Sequence, residues 1–211
     1  DDVSRPLIII PAYDEEKNIG QVIGQIKELF PNFNILVVND GSNDNTKDIA
    51  NKMGAKVASH IINLGDGAAL QTGFKIALQN NIRMLIEMDA DGQHPANEIP
   101  RLIKPIINKE ADVVIGSRFL EKTNYKTSIP RLVGIYFYSM ITSLLIRQRL
   151  TDVPSGFRAY NKKAYAMLSE KLPRRNASVA MLLYLGLKGC KIKEIPVKMF
   201  PRKHGCSKGL T

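Results

Sequence analysis

The chain has 211 residues, of which 44% are hydrophobic, and carries 30 basic and 20 acidic side chains for a net charge of +10. That length and composition suit one large globular domain with a real core. Two cysteines, Cys190 and Cys206, exclude a disulfide framework, no C-x-x-C occurs, and a reducing compartment is expected. The first apolar stretch, Leu7–Ile10, is too short for a signal peptide.

The charge is unevenly spread. Residues 1–160 balance 18 Lys/Arg against 18 Asp/Glu, whereas residues 161–211 carry 12 basic and 2 acidic side chains. A cationic carboxyl-terminal quarter favours anionic partners: membrane headgroups, phosphorylated substrates or nucleic acid.

In chain order, Pro6–Pro11 reads as a short buried strand between prolines. Asp14-Glu15-Glu16 is expected to open a helix, with carboxylates suited to its dipole, followed by Ile19, Val22, Ile23, Ile26 and Leu29 at helical spacing. Asn34–Asn39 is a second strand, Asp44–Met53 a helix, Lys56–His60 a weaker strand and Gly65–Asn80 a helix. Ile82–Met88 is a fourth strand, Ala96–Asn108 a helix interrupted by prolines, and Asp112–Gly116 a fifth strand. Alternation of strand and helix predicts an α/β fold, its mostly parallel central sheet covered by helices on both faces.

Beyond Gly116 the pattern changes. Leu132–Ile146 is a 15-residue run without a charge, short of the roughly 20 needed to span a bilayer. Arg131, Arg147 and Arg149 flank it, so it reads either as a packing helix or as a helix lying at a headgroup surface. Lys162–Glu170 and Ser178–Leu187 are expected to be helices, Lys191–Met199 a strand and Pro201–Lys208 a basic loop.

In parallel sheets, ligands bind beyond the carboxyl ends of the strands. The polar clusters fall there: Ala12–Glu16, Asn39–Asn43 and Asp89–Gln93. Asp89 and Asp91, two apart at a strand end, can converge, and with the amide oxygen of Gln93 they suit Mg²⁺ or Mn²⁺. Asp40, Tyr13 and Glu15 are placed to meet a base, a ribose or a neighbouring backbone. Arg118 follows the fifth strand and could clamp a phosphate or form a structural ion pair. Asp152 lies in the turn Asp152–Arg158, where it could receive an acceptor proton, orient a hydroxyl or cap the turn. Asn63–Ala68 is glycine-bearing, but no Gly-Lys-Ser/Thr follows it, so it reads as a helix start rather than a phosphate loop. His94 is expected to serve the local turn.

These motifs, in order, resemble glycosyltransferase family 2 with the GT-A fold, in the branch similar to dolichol-phosphate mannosyltransferase and bacterial polyprenyl-phosphate glycosyltransferases. The resemblance is carried by Ile10–Glu16, Val37–Ser42, Asn63–Gly65, Asp89–His94, Ile115–Phe119, Ser155–Arg158 and Arg202–Lys208. It implies metal-dependent, inverting transfer of a sugar from a nucleotide-sugar donor of the GDP-mannose or UDP-glucose type to polyprenyl or dolichyl phosphate. It places donor contacts at Pro11, Tyr13, Glu15, Asp40, Asp89, Ala90 and Asp91, and at Arg202 and Lys208 in a closing loop. Acceptor contacts fall to Arg118, Arg131 and Ser155, catalytic roles to Asp91, Arg118 and Asp152, and the cation to Asp89, Asp91 and Gln93. Residues 1–116 would form the nucleotide-binding half, and residues 117–211 the acceptor half, with an amphipathic helix near 131–147.

Peripheral placement on the cytoplasmic face of a membrane is expected, and no nucleic-acid partner, since no recognition motif accompanies the basic segment. Related proteins often continue into transmembrane helices after the Ser-Lys motif. Transfer to a hydroxyl acceptor, with Asp152 as base, is the alternative within the same chemistry. A non-catalytic binding or scaffolding protein is the alternative outside it, motivated by Asp66 and Cys206, where the family usually has other residues.

Overall fold

The computed structural model describes residues 5–120, 128–170, 172–174 and 177–200, without the side chain of Arg131. Seven strands form one sheet: β1 (Leu7–Ala12), β2 (Asn34–Asn39), β3 (Lys56–Ser59), β4 (Met84–Glu87), β5 (Val113–Ser117), β6 (Arg158–Asn161) and β7 (Ile192–Pro196). Their order is β3-β2-β1-β4-β6-β5-β7. Neighbouring pairs are parallel except that β6 runs antiparallel to both β4 and β5.

The sheet is buried on both faces because its central strands are apolar at every position rather than at alternate ones. Ile8 and Ile10 of β1 point to one side, with Ile35, Val37 and Ile86. There they meet Ile19, Val22, Ile23 and Ile26 of α1 (Ile19–Leu29) and Ile99, Leu102 and Ile106 of α4 (Ile99–Ile107). Leu7 and Ile9 point to the other side, with Leu36, Val38 and Leu85. They pack against Leu70 and Phe74 of α3 (Asp66–Gln79), Tyr165 and Leu168 of α6 (Lys162–Glu170), and Met181 and Leu182 of α7 (Ala177–Leu187). A short helix, α2 (Thr46–Lys52), lies between β2 and β3, and α5 (Ile129–Ile146) packs on α7.

Three sequence expectations change. Asp14–Glu16 do not open α1, which begins at Ile19 with no acidic residue in its first turn. Asp14 instead takes a left-handed backbone (φ 48°), and the N–H groups of Asp14, Glu15 and Glu16 donate to Ser42 Oγ, Thr46 Oγ1 and Asp44 Oδ2. The turns after β1 and β2 are thus laced together. Second, residues 158–161 form a strand rather than the end of a turn. The segment Arg-Ala-Tyr-Asn shows no apolar alternation, because its arginine is paired inside the protein. Third, the strand expected over Lys191–Met199 is shorter, Ile192–Pro196.

Candidate active site

Strands β1, β2, β4 and β5 all end at one edge of the sheet. The reversal of β6 brings the turn that enters it, residues 150–157, to that same edge. Four acidic or amide clusters and one arginine therefore share a rim. The main chain passes from β4 through Met88 to Asp89 and turns at Asp91-Gly92, where Gly92 has φ 76°.

Asp89 is held by His94. The Asp89 N–H donates to His94 Nδ1 (3.0 Å), and His94 Nε2 lies 3.6 Å from Asp89 Oδ2. Accepting at Nδ1 fixes the neutral imidazole with its proton on Nε2. The ring stacks on Phe157, centroids 5.1 Å apart. Burial lowers its pKa from 6.5 to about 4, so it stays neutral near pH 7. The local role expected for His94 is therefore the one it has. Asp89's own side chain is 42% exposed, lying in the fields of the Arg158 and Arg118 cations and of the Asp66 and Glu15 carboxylates. A methyl group built on Gly156 would stand 2.6 and 2.7 Å from its two carboxylate oxygens, so the glycine is what lets the 150–157 turn meet the β4 turn.

Asp91 Oδ1 accepts the Gln93 N–H (3.0 Å). Gln93 also pairs with the carboxyl-terminal segment: its carbonyl accepts Phe200 N–H (2.9 Å), and its Nε2 donates to Phe200 O (3.2 Å). Among the described residues, no three His, Cys, Asp or Glu side chains gather to hold a metal by themselves. Two carboxylates and an amide oxygen on one turn are nevertheless a hard-oxygen set. Such a set fits a Mg²⁺- or Mn²⁺-type cation that completes its shell from water and substrate phosphate.

Beneath this turn, Glu87 of β4 faces Arg158 of β6. Tyr160 Oη donates to Glu87 Oε2 (2.5 Å), Arg158 Nη1 lies 3.9 Å from the same oxygen, and Arg158 Nη2 donates to Val153 O (2.7 Å). Among the described residues, Arg158 Nε has no hydrogen-bond partner. Burial raises the Glu87 pKa from 4.5 to about 7, against the opposing pull of Arg158 and Tyr160.

Glu87 and His94 make opposite linkage contributions. The folded protein refuses a proton at His94 between pH 6.5 and 4 that the unfolded chain accepts, so this group withdraws stability as pH falls through that window. The folded protein keeps a proton on Glu87 between pH 7 and 4.5 that the unfolded chain gives up, so that group adds stability as pH falls. Each effect is on the order of 3 kcal/mol at full extent. Relative to wild type, His94→Phe is therefore expected to gain stability on acidification and Glu87→Gln to lose it. Urea unfolding of the three proteins from pH 7 to pH 4.5 checks the signs.

Asp152 is 0% exposed. Its carboxylate receives Arg118 three times: backbone N–H to Oδ2 (2.9 Å), Nε to Oδ2 (2.7 Å) and Nη2 to Oδ1 (2.6 Å). Of the roles open to Asp152 in the sequence, the structure shows that of an anchor: its carboxylate is enclosed and bound to Arg118. Arg118 is itself buried and is the ion-pair partner that its sequence reading left open. Ser155 is buried, donates to Gly116 O (2.7 Å) and accepts Phe157 N–H (3.3 Å).

Asp40 is likewise committed. It is buried, and its oxygens receive His60 Nδ1 (2.6 Å), Leu64 N–H (2.9 Å) and Gly65 N–H (2.8 Å). Contact with a base or ribose therefore does not fit; Asp40 fastens the loop 60–65. His60 Nε2 continues to Thr72 Oγ1 (2.9 Å). The start of α3 is no phosphate loop, as expected: Gly67 and Ala68 N–H groups point at Arg174 O (3.0 and 3.4 Å). Pro11 and Tyr13 are half-buried at the rim, Ala90 is buried in the turn, and buried Glu15 accepts Asn18 Nδ2 (2.7 Å). Arg202, Lys208 and the Arg131 side chain lie outside the described residues.

Sequence reading missed Glu87, Tyr160 and Arg158 as a buried framework, half-buried His60 as the partner of Asp40, and Glu194, whose carboxylate accepts from the 151–152 turn. Glu194 does leave a trace in the sequence, as the one acidic residue in the cationic stretch 171–211.

The fold is that of solved sugar-nucleotide transferases. A crystal structure of glucosyl-3-phosphoglycerate synthase from Mycobacterium tuberculosis, in complex with Mn²⁺, UDP-glucose and phosphoglyceric acid, superposes with a TM-score of 0.72 at 19% identity, covering 97% of this chain and 74% of that one. Fold and rim together define a GT-A glycosyltransferase. Residues 7–168 match the Glycosyl transferase family 2 profile, and the chain belongs to that family. It is 34% identical to the UDP-N-acetylglucosamine–dolichyl-phosphate N-acetylglucosaminyltransferase of Methanococcus voltae, over 96% of this chain and 88% of that one. It is 32% identical to the undecaprenyl-phosphate mannosyltransferase of Micrococcus luteus, over 97% and 87%. A Methanocaldococcus jannaschii protein of uncharacterised function is 35% identical over 96% and 84%.

Proposed function

We propose that this glycosyltransferase moves a sugar, with inversion, from a nucleotide-sugar donor to a polyprenyl or dolichyl phosphate at a membrane surface. The observation that carries the reading is the enclosure of Asp152. A hydroxyl acceptor needs a base to take its proton, and the carboxylate best placed for that work is spent on Arg118. A phosphate acceptor is already anionic and attacks without one; it needs positive charge at the rim, and Arg118, held there by its pair with Asp152, contributes to that field. Relatives named for polyprenyl- or dolichyl-phosphate transfer support the same acceptor.

On the donor side, Asp89 and Asp91 would hold Mg²⁺ or Mn²⁺, with the amide oxygen of Gln93 as a third ligand, since its nitrogen is used on Phe200. The bound cation would offset the charge that develops on the departing nucleoside diphosphate. His94 keeps the Asp89 main chain and carboxylate in register, and Arg158 supplies positive charge beneath them. Residues 5–116 then form the donor half, and residues from 117 onward the acceptor half.

The membrane reading rests on α5 and α7. Helix α5 buries Ser139 and Thr142 while exposing Val133, Phe137, Met140 and Leu144, the last 79% exposed; α7 adds Leu187 at 65%. Neither helix contains an acidic residue, and exposed Arg147, Arg149 and Lys188 rim the surface. An apolar, cation-edged face of this kind suits the headgroup boundary of the cytoplasmic leaflet. Among the described residues, no helix is long and apolar enough to cross a membrane.

A donor panel of UDP-N-acetylglucosamine, UDP-glucose and GDP-mannose with Mn²⁺ tests the reading. One donor should raise Tm and then turn over with polyprenyl phosphate, and Asp91→Ala should abolish both. Absence of any Tm shift at saturating metal would refute it.

A further inference from the structure

We propose that Glu194 is an acceptor-side positioning residue, whose carboxylate locks the turn that aims the Asp152–Arg118 pair. This rests on the reading that Arg118 contributes to the positive field that meets the acceptor phosphate.

Four consecutive backbone N–H groups, from Leu150 to Val153, are each bound by a side chain from outside the turn, two by α5 just before it and two by Glu194 of β7. Leu150 N–H donates to Ser143 Oγ of α5 (2.9 Å), and Val153 N–H donates to Ser139 Oγ of the same helix (3.2 Å). Between them, Thr151 N–H reaches both Glu194 oxygens (2.9 and 2.8 Å), and Asp152 N–H reaches Glu194 Oε1 (2.8 Å). Thr151 Oγ1 donates to Glu194 Oε2 (2.9 Å) and also lies 2.8 Å from Ser117 Oγ, one residue before Arg118.

A turn that satisfied its own N–H groups would keep its shape but be free to drift over the sheet. Here the bonds fix its place relative to β5, β7 and α5 instead. Glu194 sits opposite Ile115 in the β5–β7 register, so the strand that leads into Arg118 and the strand that carries Glu194 move as one. A fork of two short hydrogen bonds from Arg118 tolerates little displacement of Asp152. Loss of the carboxylate under the 151–152 peptides therefore reaches Arg118 directly, through Asp152, whereas the donor turn is met only four residues further on, at Gly156. Burial raises the Glu194 pKa, and the hydrogen bonds from Asp152 and Thr151 oppose that rise.

The test uses Glu194→Gln and Glu194→Ala, with Thr151→Val as a milder variant should either fail to fold. One arm reads the pair directly. The Arg118 Nε–H resonance of ¹⁵N-labelled protein, identified by its loss in Arg118→Lys, should broaden or shift in the Glu194 variants. The other arm reads function: KM for polyprenyl phosphate should rise about tenfold, the scale of one hydrogen bond to a charged group, while UDP–Mn²⁺ or GDP–Mn²⁺ affinity stays within about twofold. An unchanged Nε resonance with unchanged acceptor KM overturns the proposal, and so does a parallel loss of nucleotide affinity. If wild type fails to use polyprenyl phosphate at all, the acceptor reading falls, and the Nε resonance alone decides the role of Glu194.

Discussion

Asp152→Ala is expected to destabilise the protein by about 3–5 kcal/mol and to abolish measurable transfer. The reason is the partner left behind: Arg118 is buried, and without Asp152 its charge has lost two short hydrogen bonds and a counter-ion. Against a total stability of about 5–15 kcal/mol, that is a large fraction. Replacing both members, Arg118→Met with Asp152→Leu, removes the stranded charge and should recover most of the stability, since buried ion pairs exchange for apolar residues at little net loss. Transfer should stay absent, because the cation is gone. Denaturant unfolding of Asp152→Ala and of the double variant, alongside turnover, separates the structural from the functional contribution. A double variant as unstable as Asp152→Ala would mean that the pair is not the main source of the loss.

The second large effect is expected from one methyl group. Gly156→Ala places a Cβ within 2.7 Å of both Asp89 carboxylate oxygens, nearer than atoms can stand, so the carboxylate must swing aside. Gly156 has no left-handed backbone to strain, and the change should cost the fold no more than about 1–3 kcal/mol of overpacking. Mn²⁺ affinity in the presence of UDP or GDP, read by electron paramagnetic resonance, should nevertheless fall at least about tenfold. Unchanged affinity would show that Asp89 does not ligate from this position.

The parts of the site that were legible in the sequence are those carried by local pattern. Apolar runs ending in Asp, Gly or Asn announce parallel strands and their rims, and Asp89–Gln93 could be located from spacing alone. What escaped is set by distant partners. Arg158-Ala-Tyr-Asn does not look like a strand because its charge is cancelled by Glu87, 71 positions earlier in the chain. The roles of Asp152 and Asp40 stayed open between ligand contact and a turn because nothing nearby in sequence reveals Arg118, His60 or the amides of Leu64 and Gly65. Asp14–Glu16 read as a helix start because carboxylates favour that position, yet Ser42, Asp44 and Thr46 claim their backbone instead.

The backward course of β6 gives the 150–157 turn two jobs at once. At one end Asp152 grips Arg118; four residues later Gly156 abuts Asp89. With donor and acceptor placed as proposed, this short peptide acts as a ruler between the site of leaving and the site of attack, and lengthening it by a single residue would put the two reactants out of step even with every side chain intact.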